Sequence, residues 1–284
     1  MNKVKIITDS TCDLGLELAK KYDVEIIPLY VNFGEESYKD GVNITTEELY
    51  KLVEQKNELP KTSAIDIVTI TEYFKKWLDL GYDIVFSGIS RQMSRTYENA
   101  LMAVDELEAK DRIFVVDSMN LSTGIGLSIL KACDYRDQGL SAKEIAEKME
   151  LVIPKVKAQF AIETMEYLYK GGRCSSLSMI VGSMLRIKPI IQVRDGKMNV
   201  QQKPIGKMKV ALNALLKQIE EDKDRVDLDH ILITHSLAFE YRDYLYEKLS
   251  AMFPGVDIVS TVAGCVISSH CGQGTIGILY MVKE

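Results

Sequence analysis

Side chains able to do chemistry gather in a few short polar clusters. Four lie in the first half of the chain: Thr8-Asp9-Ser10-Thr11-Cys12-Asp13, Pro60-Lys61-Thr62-Ser63, Ser87 to Tyr97, and Asp117 to Gly124. Two follow in the second half, Lys170-Gly171-Gly172-Arg173 and His270-Cys271-Gly272-Gln273-Gly274-Thr275. Taken singly, each reads as a helix cap or a turn, because Ser, Thr and Asp are favoured capping residues and Gly ends helices. Taken together they offer two kinds of chemistry. Hydroxyls and free amides make a nest for an anion, and a serine near a histidine can make a nucleophile. A triad of Ser90 or Ser94 with His270 and Asp117 is the enzyme reading, a serine hydrolase acting on acyl esters. Gly88-Ile89-Ser90-Arg91-Gln92 follows a strand as a nucleophile elbow would, but lacks the second glycine that lets the helix pack close. A nucleotide site is poorly supported, since Gly272-Gln273-Gly274-Thr275-Ile276-Gly277 leads into a strand rather than a helix. His230, His235 and His270 show no ligand spacing with cysteines or carboxylates, so neither metal nor cofactor is expected.

The elements that must carry these clusters alternate short apolar runs with amphipathic stretches, the pattern of βα units on a mainly parallel sheet. Strands are expected at Val4 to Ile7, Val24 to Val31, Asp83 to Phe86 and Ile113 to Val116. Helices are expected at Asp13 to Lys21, from the capping box Thr45-Thr46-Glu47-Glu48, from Thr69-Ile70-Thr71-Glu72 to Leu80, at Tyr97 to Leu107, at Leu121 to Gln138, and from Ser141 to about Val152. Beyond Pro154 the rhythm changes. Lys188 to Val200 reads as a hairpin around Asp195-Gly196, so the rest is a mixed sheet with helices on one face. Its other elements are Gly206 to Glu221, Ile231 to Thr234, Phe239 to Met252, Val256 to Ser260 and Ile276 to Val282. Two α/β domains are expected, residues 1–154 and 155–284. His270 falls in a Gly-rich turn before the last strand.

A chain of 284 residues, 46% hydrophobic and 27% charged, can build such cores. Its net charge of -6 argues against nucleic acid and against docking on an anionic membrane. No segment is long and apolar enough to span a bilayer, so no stable membrane insertion is expected. Five scattered cysteines without a C-x-x-C pair suit a reducing cytoplasm.

In order along the chain, Thr8-Asp9-Ser10-Thr11-Cys12-Asp13-Leu14, Lys61-Thr62-Ser63, Met93-Ser94-Arg95-Thr96-Tyr97, Val116-Asp117-Ser118, Leu168 to Arg173, Ile187 to Ile191 and His270 to Thr275 resemble the motifs of the DegV family, bacterial fatty-acid-binding proteins. The resemblance covers nearly the whole chain. It implies a three-layer α/β/α N-terminal domain with a mainly parallel sheet and a two-layer α/β C-terminal domain with a mixed sheet. It implies a long-chain fatty acid carried, unconverted, between them, and in some members presented to a fatty-acid kinase. By motif, Thr62, Ser94 and His270 would hydrogen-bond the carboxylate, with Ser63, Thr96, Arg173 and the Gly272–Thr275 turn around them. Roughly 15 buried methylenes at about 0.8 kcal/mol each would supply on the order of 12 kcal/mol before ordering costs. Leu29, Met179, Ile180, Met184, Leu185, Ile187 and Ile191 are the candidate lining. The chain departs from the family at Arg95, usually glycine, where a guanidinium could pair with the head group or project outward. It departs again at Ile205, commonly arginine, which leaves kinase handover less supported than binding.

Overall fold

The computed structural model describes residues 3–174, 176 and 187–283. A four-stranded sheet of order β2-β1-β6-β7 is built from β1 (Lys3–Asp9), β2 (Val24–Ile27), β6 (Tyr82–Phe86) and β7 (Ile113–Val115). All three pairings are parallel, with Ile6 opposite Val24 and Val85, and Val85 opposite Phe114. β1 is buried from Val4 to Asp9 without alternation, as expected of a parallel strand covered on both faces. Its helices are α1 (Gly15–Lys21), α3 (Ile67–Asp79), α4 (Thr96–Glu106), α5 (Thr123–Asp137) and α6 (Ala142–Val152).

The run expected as one strand, Val24 to Val31, breaks at Pro28-Leu29. Proline fixes φ and gives no ladder donor, so the chain leaves the first sheet. It then forms a separate three-stranded sheet with β3 (Tyr30–Phe33) between β4 (Glu36–Lys39) and β5 (Lys61–Ser63). The cluster at Thr62 is therefore a strand of its own, antiparallel to β3 with Thr62 opposite Val31. Between β4 and β5 lies α2 (Thr46–Lys56), whose start is the expected capping box of Thr45 and Glu48. α6 likewise starts at the Ser141 and Glu144 box. α3 begins earlier than its Thr69 signal, because Asp66 takes the cap position and accepts from the Thr69 amide at 2.8 Å.

From Val156 the strands enter a six-stranded mixed sheet of order β10-β9-β8-β13-β11-β12. Its strands are β8 (Val156–Ala161), β9 (Ile190–Arg194), β10 (Lys197–Gln202), β11 (Val226–His235), β12 (Ile258–Val262) and β13 (Ile276–Val282). Only β11 and β12 pair in parallel. The β9–β10 hairpin turns on Asp195 and Gly196, both at positive φ as a type I′ turn requires. α8 (Met208–Glu221) and α9 (Phe239–Met252) cover one face, where Leu212, Leu215 and Leu245 meet Ile276, Ile278 and Tyr280. The alternate residues Leu279 and Met281 face the other way. There they meet α5, buried unbroken from Thr123 to Leu130. α5 also packs on β1, so Ile6, Ile125, Phe160 and Leu279 belong to one core that both sheets share. Small residues allow this: a Cβ at Gly126 would come within 3.0 Å of the Cys12 carbonyl. Two further short α-helices lie among the described residues, α7 (Glu166–Gly171) and α10 (Cys265–Cys271).

His270 sits on α10 and not in the Gly-rich turn. The helix ends at Gly272, at φ 82°, and the turn follows it. Its residues are weak helix formers, and the groups that hold its first turn, Asp13 and Asp40, lie more than 200 residues away in sequence. Local signals could not reveal it.

Candidate functional site

Three separate elements bring Thr62, Ser94 and His270 to one cavity. Thr62 comes from β5. Ser94 stands in the turn before α4, its amide bonded to Ser90 O at 3.1 Å and its hydroxyl to Thr96 Oγ1 at 3.1 Å. His270 lies in the last turn of α10 and faces Thr62 directly, with Thr62 Oγ1 and His270 Nε2 2.8 Å apart. The cavity is also lined by Leu29, Ser63, Ala64, Ile89, Met93, Leu121, Arg173, Met198, Val266, Ile267 and Cys271. Its empty space is about 500 Å³, mouth included. Five of these lining residues, Thr62, Ser63, Ser94, Arg173 and His270, are polar, and the other nine carry aliphatic or sulfur side chains. A smaller, largely apolar void adjoins it, and Leu121, Ile267 and Cys271 line both.

Burial, and after it the nearby Arg173 charge, push the imidazole of His270 down to about 4. It is neutral at physiological pH, so one ring nitrogen donates and the other accepts. Nδ1 is shielded from solvent and has no partner among the described residues. It lies against Gly171, where an added Cβ would overlap the ring. Gly171 is thus the back wall of the imidazole, and the helix α7 that carries it ends at Gly172, at φ 68°. Arg173 then turns back, its Nη1 donating to Gly171 O at 2.7 Å, with the guanidinium exposed at the cavity.

The other expected residues divide. Ser63 lines the cavity and is held by Asn32 Nδ2 at 2.8 Å. Thr96 stands one layer behind, on Ser94. Arg95 is exposed and outside the lining, so of its two options it projects outward. Gly272 and Thr275 lie behind α10, where Thr275 Oγ1 donates to Cys271 O at 2.8 Å. Of the expected apolar lining, Leu29 is in place. Ile187 and Ile191 belong to the shared core instead, Ile191 opposite Phe160. Met179, Ile180, Met184 and Leu185 lie outside the described residues. Sequence reasoning missed Ile89, Met93, Leu121, Met198, Val266 and Ile267. Val266 and Ile267 stand four and three residues before His270, the spacing of one helix face, and reading α10 as a helix would have found them.

The triad geometry does not form among the described residues. Ser90 is fully buried and donates to Gly196 O at 2.9 Å, tying its loop to the β9–β10 hairpin. Asp117 accepts from the amides of Met119 at 3.0 Å and Arg91 at 3.3 Å. Among the described residues no carboxylate orients His270. The arrangement offers neutral donors beside one cation, which suits holding an anion.

The profile of a family described as "Uncharacterised protein, DegV family" matches residues 3–283. A DegV domain-containing protein of Clostridium acetobutylicum is 35% identical over the full length of both chains. A DegV family protein of Thermus thermophilus, described for its fatty acid binding, superposes with a TM-score of 0.89 at 26% identity over 99% of each chain. A stearic acid-binding protein from Eubacterium ventriosum gives 0.85 at 26% identity, over 99% of this chain and 98% of that one. Whole-length matches in sequence and in structure place this chain in the DegV family.

Proposed function

We propose that the chain binds a long-chain fatty acid between its two domains, divided near residue 154, and carries it without converting it. The observation that carries this reading is the Thr62–His270 hydrogen bond in the wall of a mainly apolar cavity that Ser94 also lines. A carboxylate leaving water costs several kcal/mol unless hydrogen-bonded, and each bond to a charged group returns about 1.5–3 kcal/mol. Thr62 Oγ1, Ser94 Oγ and the Nε2–H of a neutral His270 supply three such donors, and Arg173 adds a nearby positive charge. The tail lies against Leu29, Ile89, Met93, Met198 and Val266 and reaches past Leu121 and Ile267 toward the adjoining void. Unbranched Met93 and Met198 adapt to chains of different shape. The relatives whose structures are described as fatty-acid-binding support the ligand class.

The reading needs no nucleophile. Ser94 is held by Thr96, and no carboxylate orients His270 among the described residues, so Ser and His act as donors only. We further propose that the bound acid is handed to a fatty-acid kinase in the cytoplasm. Ile205, 62% exposed, and the exposed Arg95 are the two positions where this chain departs from the family pattern, so any kinase contact here would use other groups. The decisive experiment is native mass spectrometry and lipid extraction of protein purified from bacteria. A bound long-chain acid is expected; protein that neither carries one nor takes one up when it is supplied overturns the reading.

A further inference from the structure

α10 is seven residues long, too short to hold its shape alone, so its placement depends on tertiary contacts. Its first turn would leave backbone amides unpaired. Two carboxylates from the N-terminal domain take them. Asp13 Oδ1 accepts from the Gly264 amide at 2.8 Å. Asp40 accepts from the Cys265 amide through Oδ1 at 2.7 Å and from the Val266 amide through Oδ2 at 3.3 Å.

Both carboxylates are almost wholly buried, and burial raises the pKa of each. Such a placement is costly unless every oxygen is used. Asp13 is further fixed by Ser122 Oγ at 2.5 Å, and both residues adopt positive φ, 51° and 53°, which non-glycine residues seldom do. Backbone held this way is characteristic of positions that the surroundings over-determine. At the far end of α10, about 9 Å along the axis from the latched turn, His270 meets Thr62. Between the two ends, Tyr50 Oη reaches the Ser268 carbonyl at 3.4 Å.

We propose that Asp13 and Asp40 are positioning residues for the ligand site: they latch the first turn of α10 and so set where the His270 imidazole stands. This deepens the fatty-acid reading and rests on it. The two carboxylates touch neither the cavity nor Thr62, Ser94 or His270. Asp13 also holds Ser122, next to the cavity-lining Leu121, and Asp40 also bonds Ser10, which holds the Leu29 amide, but α10 is the route that ends on His270. A merely structural cap would change stability and leave the affinity of the folded protein alone.

A double-mutant cycle separates these cases, with cis-parinaric acid as the probe and thermal melting recorded for every variant. Asp40→Ala is expected to weaken binding about tenfold, which is 1.4 kcal/mol, in the wild-type background. In the His270→Ala background it should weaken binding no further, because the group it positions is gone, while its loss of thermal stability persists. Asp40→Asn keeps the shape and one amide bond but turns an NH₂ toward the Val266 amide. It is expected to give about a threefold loss with the same non-additivity, and it carries the test if the alanine variant does not fold. The imidazole nitrogen signals of ligand-free Asp40→Asn should also shift at His270 and not at His230. Equal losses in both backgrounds, or undiminished affinity in folded Asp40→Ala and Asp40→Asn, overturn the latch and leave the fatty-acid reading standing. If His270→Ala alone binds the probe as wild type does, the head-group assignment falls, and the latch with it.

Discussion

Replacing Thr62 by valine keeps the shape of the side chain and removes a single hydroxyl. In the ligand-free protein that hydroxyl bonds His270 Nε2 at 2.8 Å. Binding exchanges this neutral bond, worth about 0.5–1.5 kcal/mol, for one to a carboxylate, worth about 1.5–3 kcal/mol. The exchange therefore favours binding by about 1–1.5 kcal/mol, and Thr62→Val should weaken fatty-acid affinity roughly 5- to 15-fold. The loss is smaller than a simple deletion would suggest, because valine also orphans His270 in the empty protein. With both ring nitrogens unpaired, the ligand-free variant should lose about 1–3 kcal/mol of stability, seen as a Tm lowered by several degrees. Saturating ligand should recover part of that difference, since the carboxylate gives Nε2 a new partner. Titration with cis-parinaric acid and melting curves with and without palmitate measure both quantities. An affinity within twofold of wild type, together with an unchanged ligand-free Tm, would refute the exchange and remove Thr62 from the site.

Gly171→Ala should gain helix propensity yet lose at least tenfold in affinity, because the new methyl group overlaps the imidazole; wild-type affinity in that variant would mean that the ring position is not needed. Ser94→Ala removes one donor to the carboxylate and the partner of the buried Thr96 hydroxyl, so it should cost about 1.5–3 kcal/mol of binding by isothermal titration and also lower Tm; wild-type affinity would remove Ser94 from the head-group set. Ile267→Trp should shift preference toward shorter acids, read from competition across a chain-length series; unchanged preference would place the tail elsewhere. For pH, unfolded His270 takes a proton below about 6.5 while the folded form resists until about 4, so the unfolded state binds more protons in that window and stability falls as pH falls. Asp9, raised to about 6 mainly by burial, acts in the opposite sense between its unfolded value and 6. The wild-type stability advantage over His270→Gln should therefore shrink by about 2 kcal/mol between pH 7 and pH 4.5, measured by urea unfolding.

The parts of the fold legible in sequence are those whose causes are local. Thr45 with Glu48 and Ser141 with Glu144 each satisfy amides within one turn, and Asp195-Gly196 sets its own hairpin. The expected limits of α9 and β13 hold to the residue, and β13 is buried along its whole length. The three-stranded sheet was hidden for the opposite reason. β3, β4 and β5 are three or four residues long; β3 and β4 form a tight hairpin, and β5 becomes a strand only by joining β3 across 27 intervening residues. A core continuous across both sheets was equally invisible, because it depends on α5 being buried on every side, and no periodicity marks a helix without a polar face.

The candidate site shows the same division more sharply. Thr62, Ser94 and His270 were legible as an ordered set of motifs, yet nothing local says that a strand, a pre-helical turn and a helix end should converge. That convergence is made by contacts between residues far apart in the chain: Thr62 with His270, Asp13 with Gly264, Asp40 with Cys265. Each joins the N-terminal half to α10, a short helix that the sequence conceals. A helix of weak formers is informative in this respect, because it stands where it does only through the groups that grip it. The residues that grip α10 at its start and the residue that works at its end therefore form one unit. A substitution at Asp13 or Asp40 should be read first as a change in where His270 stands.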